Sequence, residues 1–300
     1  MSALSAASRN EAARAEDASG AAAQARARAR ANRRLLVNGL RVGVAVLLLG
    51  VWEIGTTKDA THPDGLWIDP FFYGRPSSIA SQLWTWAQNG TAQGPLWLQV
   101  ATTLEEAALG FLIGVGLGVV LGVALGRVRL LADVFAPYIK ALNAMPRIVL
   151  GSIFILTIGY NIWSKVALAV VLVFFVVFFN AFQGVREVDR VLIANARILG
   201  AKERQLSTDV IFPSALSWIL ASLHTSFGFA LVCAVVGEYL GAYQGIGLMI
   251  STAQGTFNPS GVFAAMFILA VVALSAEVAL TWLENRLIKW RPNTITDVRI

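Results

Sequence analysis

Residues 184–214 read GVREVDRVLIANARILGAKERQLSTDVIFPS, a polar stretch between two long apolar runs. Its polarity takes it out of lipid. Yet Val191, Ala194, Ile198 and Ala201 fall at steps of three and four, one face of a helix. Gly200 interrupts that pattern where a helix ends, and Leu206, Val210 and Ile211 resume it. Pro213 stands where the next apolar run begins, a position proline tolerates at a helix start. The stretch predicts two short helices with a bend between them, held out of the membrane as a docking element.

The flanking chain is apolar enough to make lipid its solvent. Hydrophobic residues make up 56% and charged residues 14%, with a mean hydropathy of +0.64. Soluble domains carry roughly a quarter charged residues. Six runs are long enough to cross, or nearly cross, a bilayer core of about 30 Å as helices. They are Leu35–Ile54, Leu104–Gly126, Val134–Ile158, Ile162–Phe182, Ala215–Val236 and Val262–Leu283. In lipid each must satisfy its own backbone hydrogen bonds, so each is a helix. The expected fold class is an all-α polytopic membrane protein of about six transmembrane helices. Residues 1–34 form a basic tail, with Arg26, Arg28, Arg30, Arg33 and Arg34 near its end, and 35–300 form the transmembrane domain.

Net charge is +6. In a soluble chain that would suggest nucleic acid; here it reads as topology. With both termini in the cytoplasm, Lys58, Arg75 and Lys165 are left outside, and Lys140 and Arg147 fall within the third span. Residues 55–100 become an external segment, where Ile79, Leu83 and Trp86 predict a surface-lying helix over 76–89. Glycines 114, 118 and 122 predict a close helix-packing face.

Catalytic and cofactor signals are missing from the sequence. No G-x-x-x-x-G-K-[ST] loop occurs, so nucleotide hydrolysis is expected from another chain. His62, His224 and Cys233 do not form a metal-ligand pattern, and no catalytic residue, cofactor or metal is expected. Charged residues at span edges are functional candidates. Glu238 closes the fifth span, Arg147 follows Pro146 in the third, and Glu277 lies in the last facing a neighbouring helix. Glu105 and Glu106 are expected to be hydrated at the outer end of the second span. Pro146 is expected to bend the third.

The loop resembles a motif of ABC importer permeases: E-A-A, three residues, G, nine residues, I-x-L-P. Here Ala194-Asn195-Ala196 is followed by Gly200 and then by Val210-Ile211-Phe212-Pro213, with the spacing kept throughout. The motif's Glu is replaced by Ala194, so the contact it makes in the family is not carried over. The resemblance runs from about Leu96 to Pro292. It is strongest to the nitrate/sulfonate/taurine branch, with Gly110–Gly126, Pro146, Lys165 and Glu238–Gly247 in support.

The resemblance implies a type I ABC importer permease fold in a bacterial inner membrane. Ala194, Asn195, Ala196, Arg197, Gly200, Ala201 and Pro213 would couple the chain to cytoplasmic ATP-binding subunits. It also implies an external solute-binding protein and a second permease copy, a homodimer, surrounded by lipid and with no nucleic-acid partner. Glu238, Arg147 and Pro146 are the candidates for a translocation path or gate. The implied cargo is a small organic or inorganic anion. The alternatives are a neutral heterocycle within the same family or, in other classes, a secondary transporter or a membrane-embedded enzyme. Against the secondary transporter, the spans offer no evident acidic pair and no internal repeat.

Overall fold

The computed structural model describes residues 32–57 and 65–287. Expectations for residues 1–31, for His62 and for Lys289, Arg291 and Arg299 lie outside the described residues. The chain divides into two compact units, one ending at Pro70 and the other beginning at Phe71.

In the first unit a single apolar helix, α1 (Asn32–Gly55), matches the first expected span. Its last carbonyl, on Gly55, accepts from the N–H groups of Trp67 and Ile68, both at 3.1 Å. A one-turn helix, α2 (Pro70–Tyr73), spans the boundary between the units.

The second unit contains α3 (Pro76–Asn89), a helix over the residues where one was expected. The helices that follow are α4 (Leu96–Arg127), α5 (Arg129–Ala144), α6 (Arg147–Ile158), α7 (Ile162–Arg186) and α8 (Arg190–Ile198). Next comes α9 (Glu203–Leu240), continuous over 38 residues with a π-helical turn at Leu206–Ile211. The last two are α10 (Ile246–Gly255) and α11 (Pro259–Leu287). Among the described residues, five helices are long and apolar enough to cross a membrane: α1, α4, α7, α9 and α11. Counting the bent pair α5–α6 as one more gives six.

The core is built on the contact between α4 and α7. Glycines at every fourth position of α4 let the two backbones approach. A Cβ on Gly114 would lie 2.7 Å from Val173 Cβ, on Gly118 2.9 Å from Val177 Cβ, and on Gly122 2.7 Å from Ala181 Cβ. The stripe extends beyond those three, to Gly110 against Ala169 and Gly126 against Val185. Buried Val173, Val177 and Ala181 of α7 fill the space a larger residue would need. Near its C-terminal end, α7 lays Gly184 against Ala215 and Trp218 of α9.

Two expectations about prolines are corrected. The third span is two helices meeting at 87°, not one bent helix. Met145 is extended (φ −68°, ψ 138°), as a residue before proline prefers, and Pro146 is the N-cap of α6 rather than an interior kink. Pro213, by contrast, does not begin a helix, because α9 already runs unbroken from Glu203. A proline inside a helix lacks an N–H and clashes with the carbonyl four residues back. The π turn just before it widens the ladder, with Phe212 N–H reaching Ser207 O, five residues back.

Candidate functional site

The polar loop is ordered by its own capping chemistry. Asp189 Oδ1 accepts from Val191 N at 2.8 Å, satisfying an N–H at the start of α8. At the other end Ala201 N donates to Ala196 O and Gly200 N to Arg197 O, both at 3.0 Å. That paired closure is a Schellman motif, and Gly200 takes its left-handed position at φ +84°. Gln205 Oε1 then accepts from Lys202 N at 2.9 Å, starting α9. Arg197 turns back to Glu203 at 3.1 Å, and Arg127 lies 4.0 Å from the same carboxylate. Both are exposed pairs of small energetic weight.

Among the described residues, the outward side of α8 has no covering partner. Ile193 and Ala196 are half-buried, while Val191, Ala194 and Asn195 are exposed. Ile198 and Leu199 stand at the tip, 82% and 86% exposed. Two large aliphatic side chains on the end of a polar, tightly capped helix form an apolar knob.

A second feature lies where α5 breaks into α6. A cavity of about 390 Å³ is lined by Asn143, Met145 and Arg147 on one side, and by Leu172, Phe229 and Val232 on the other. Arg147 supplies the only charged side chain in that lining. It donates to the backbone and side-chain oxygens of Asn143, and its guanidinium sits 5.6 Å from the centre of the Phe175 ring. Its Nε is buried without a hydrogen-bond partner. Arg147 is also the first residue of α6, whose N-cap, Pro146, offers no side-chain acceptor. The positive end of that helix therefore adds to the guanidinium.

Glu238 is fully buried. Its Oε1 accepts from Thr103 Oγ1 and its Oε2 from Gly247 N, both at 2.7 Å. Gln99 Oε1 and Thr103 Oγ1 accept from Gly245 N (2.8 Å) and Ile246 N (3.0 Å). Three side chains thus hold the start of α10. Gly245 and Gly247 are required there, because a Cβ on either would run into Glu238.

One further correction follows at this site. Glu106, expected to be hydrated, is 2% exposed, because α4 begins at Leu96 and places it deep in the helix rather than at its end. Lys165, assigned to the outer side as a topology charge, is 1% exposed and donates to Tyr160 O and Asn161 O at 2.9 and 3.2 Å. Glu106, Lys165 and Glu238 interact electrostatically, so the fold does assemble an acidic pair, with a lysine beside it. The sequence signal for this was a Lys in the first turn of an otherwise apolar helix. Glu277, expected to face a neighbouring helix, faces His224 of α9 at 2.8 Å.

Residues 114–289, more than half of the chain, match the family described as "Binding-protein-dependent transport system inner membrane component". The chain belongs to this family. It is a multi-pass inner-membrane permease, a transport subunit rather than an enzyme. Among its relatives is the putative aliphatic sulfonates transport permease protein SsuC of Bacillus subtilis, 36% identical over 66% of this chain and 72% of that one. The riboflavin transport system permease protein RibX of Chloroflexus aurantiacus is 33% identical over 82% and 87%. The taurine transport system permease protein TauC of Escherichia coli is 28% identical over 84% and 89%. A chain of the MetNI methionine ABC transporter superposes with a TM-score of 0.51 at 18% identity, covering 63% of this permease and 92% of that chain. That likeness supports the fold. The family placement also disposes of the secondary-transporter and enzyme alternatives.

Proposed function

We propose that this permease forms half of the pore of an ATP-driven importer for small organic anions of the sulfonate type. A second copy completes the pore, and an external binding protein delivers the anion. A cytoplasmic ATP-hydrolysing subunit grips α8 through Ile198 and Leu199. The two termini and the 187–202 loop lie on the cytoplasmic side. Ala194, Asn195, Ala196, Arg197, Gly200 and Ala201 form the gripped segment or its closing turn. Pro213 sets the π turn through which α9 receives the motion. Glu238 holds the outer turn of the pathway as an anchor.

The observation that carries the choice of cargo is Arg147. It places a cation, with one nitrogen unpaired, in a cavity among membrane-spanning helices that no carboxylate lines. An ion held in low dielectric favours a partner of opposite sign. A planar guanidinium matches the oxygens of a carboxylate, phosphate or sulfonate. Relatives named for sulfonates and for taurine support the same class, while the relative named for riboflavin keeps a neutral ring as the competing cargo.

The test is uptake into vesicles holding the permease, its ATPase and its binding protein. An alkanesulfonate is expected to enter and riboflavin to be excluded. Arg147→Gln should lower sulfonate uptake by an order of magnitude with ATPase binding unchanged. Riboflavin entry, or full sulfonate uptake by the variant, would refute the anion reading while leaving the ATP-driven one standing.

A further inference from the structure

One partly exposed side-chain cluster plays no part in the importer reading. His224 of α9 faces α11, where Glu277 and Glu284 stand about two helical turns apart on one side. His224 Nε2 is hydrogen-bonded with Glu284 Oε2 at 2.8 Å. Nδ1 lies 2.8 Å from Glu277 Oε1, at ion-pair distance but outside hydrogen-bond alignment. These two carboxylates, both from α11, are the charged groups that face the ring. Glu284 makes a further polar or electrostatic contact besides the ring.

Glu277 and Glu284 are nearer Leu287 than Pro259, toward the C-terminal end of α11, while His224 lies near the middle of α9. The rest of α11 is lightly embedded, with 17% of its most apolar window buried against 50% for α7. α11 packs mainly on α10 and α3 and touches α9 at few points, so a polar link can weigh in the α9–α11 spacing.

A neutral imidazole has one N–H and one lone pair. Two carboxylates, one at each ring nitrogen, are both attracted only while the ring carries its second proton. Without that proton, one nitrogen presents a lone pair, or an N–H to only one partner, and the second carboxylate gains nothing from its approach. Imidazole in water changes charge near about pH 6.5, inside the range cells experience.

We propose that His224 is a proton-operated tie between α9 and α11. Charged, it holds both carboxylates and fixes the last span against the span that leads from the loop. Neutral, it keeps one contact and lets α11 move away. The device makes the spacing of these helices follow pH.

The experiment measures that spacing directly, so an importer that fails to transport still answers. Spin labels are placed at Ser217→Cys and Thr281→Cys, with the native Cys233 replaced by Ala, in the full chain in lipid nanodiscs. Double electron–electron resonance is recorded across about pH 5.5 to 8.5, the range over which histidine switches. The interhelix distance should be short and narrow at low pH, and longer and broader at high pH, in a single step. His224→Gln keeps a donor but cannot titrate, and should lose the pH-dependent shift. Glu277→Gln removes one of the two charges and should reduce it, and serves if His224→Gln fails to fold. The proposal is overturned by a distance that does not change with pH in the parent chain, or by an undiminished shift in either variant.

Discussion

At φ +84° Gly200 lies in the left-handed region, and a Cβ built there would meet nothing within 4 Å. The constraint is therefore on the backbone alone. An L residue in that conformation costs about 1–2 kcal/mol, a factor of roughly 5–30 in the population of the turn. Gly200→Val should thus loosen the closure of α8 while leaving the spans intact. Uptake is expected to fall several-fold as ATP hydrolysis continues, with Gly200→Asn, which tolerates this conformation, close to the parent. Equal uptake in the valine variant, measured at equal expression, would count against the loop as the coupling element. Gly200 was legible in the sequence because a helix-ending glycine leaves a local signature. Glu106 was not. Its burial depends on Lys165 and Glu238, which arrive from other helices, and on a helix start that Gln99, Thr102 and Thr103 disguise as polar chain. The apolar knob at Ile198 and Leu199 was half-legible. Periodicity marked Ile198 as part of a helix face, but only the fold tells whether that face is covered or bare.

Among the elements, the α4–α7 contact has the least room for change. Gly118 meets Val177 Cβ and the backbone of Phe174 and Phe178 at or near 3 Å. Backbone atoms cannot swing aside as a side chain can. Gly118→Leu is expected to cost about 1–3 kcal/mol through overpacking, read as a lower unfolding temperature in detergent. Gly116→Leu, whose Cβ would meet nothing within 4 Å, should leave that temperature nearly unchanged and serves as the control. Helices of this kind were legible because lipid permits little else. The break at Met145–Pro146 was signalled by its proline, but the 87° angle depends on Met145 being extended, which composition does not reveal. The short helix α10 left no readable trace. Its first N–H groups are satisfied by Gln99 and Thr103, acceptors distant in sequence, and by Glu238 of the preceding helix.

For the whole molecule, the distribution of Lys and Arg sets an orientation that experiment can check. With Cys233 replaced by Ala, a cysteine at Asn195 in α8 should resist an impermeant thiol reagent applied to intact cells and react after permeabilisation. A cysteine at Gln88, exposed on α3, should react from outside. The reverse pattern would place the docking loop on the wrong face for an ATPase.

The unbroken run from Glu203 to Leu240 has a mechanical meaning. At about 1.5 Å per residue it is a rod of roughly 57 Å, with the Gly200 turn at one tip and the carboxylate of Glu238 near the other. A twist imposed at the first arrives at the second with no intervening joint except the widened turn before Pro213. Stiffening or relaxing that single turn would set how much of each stroke reaches the far side.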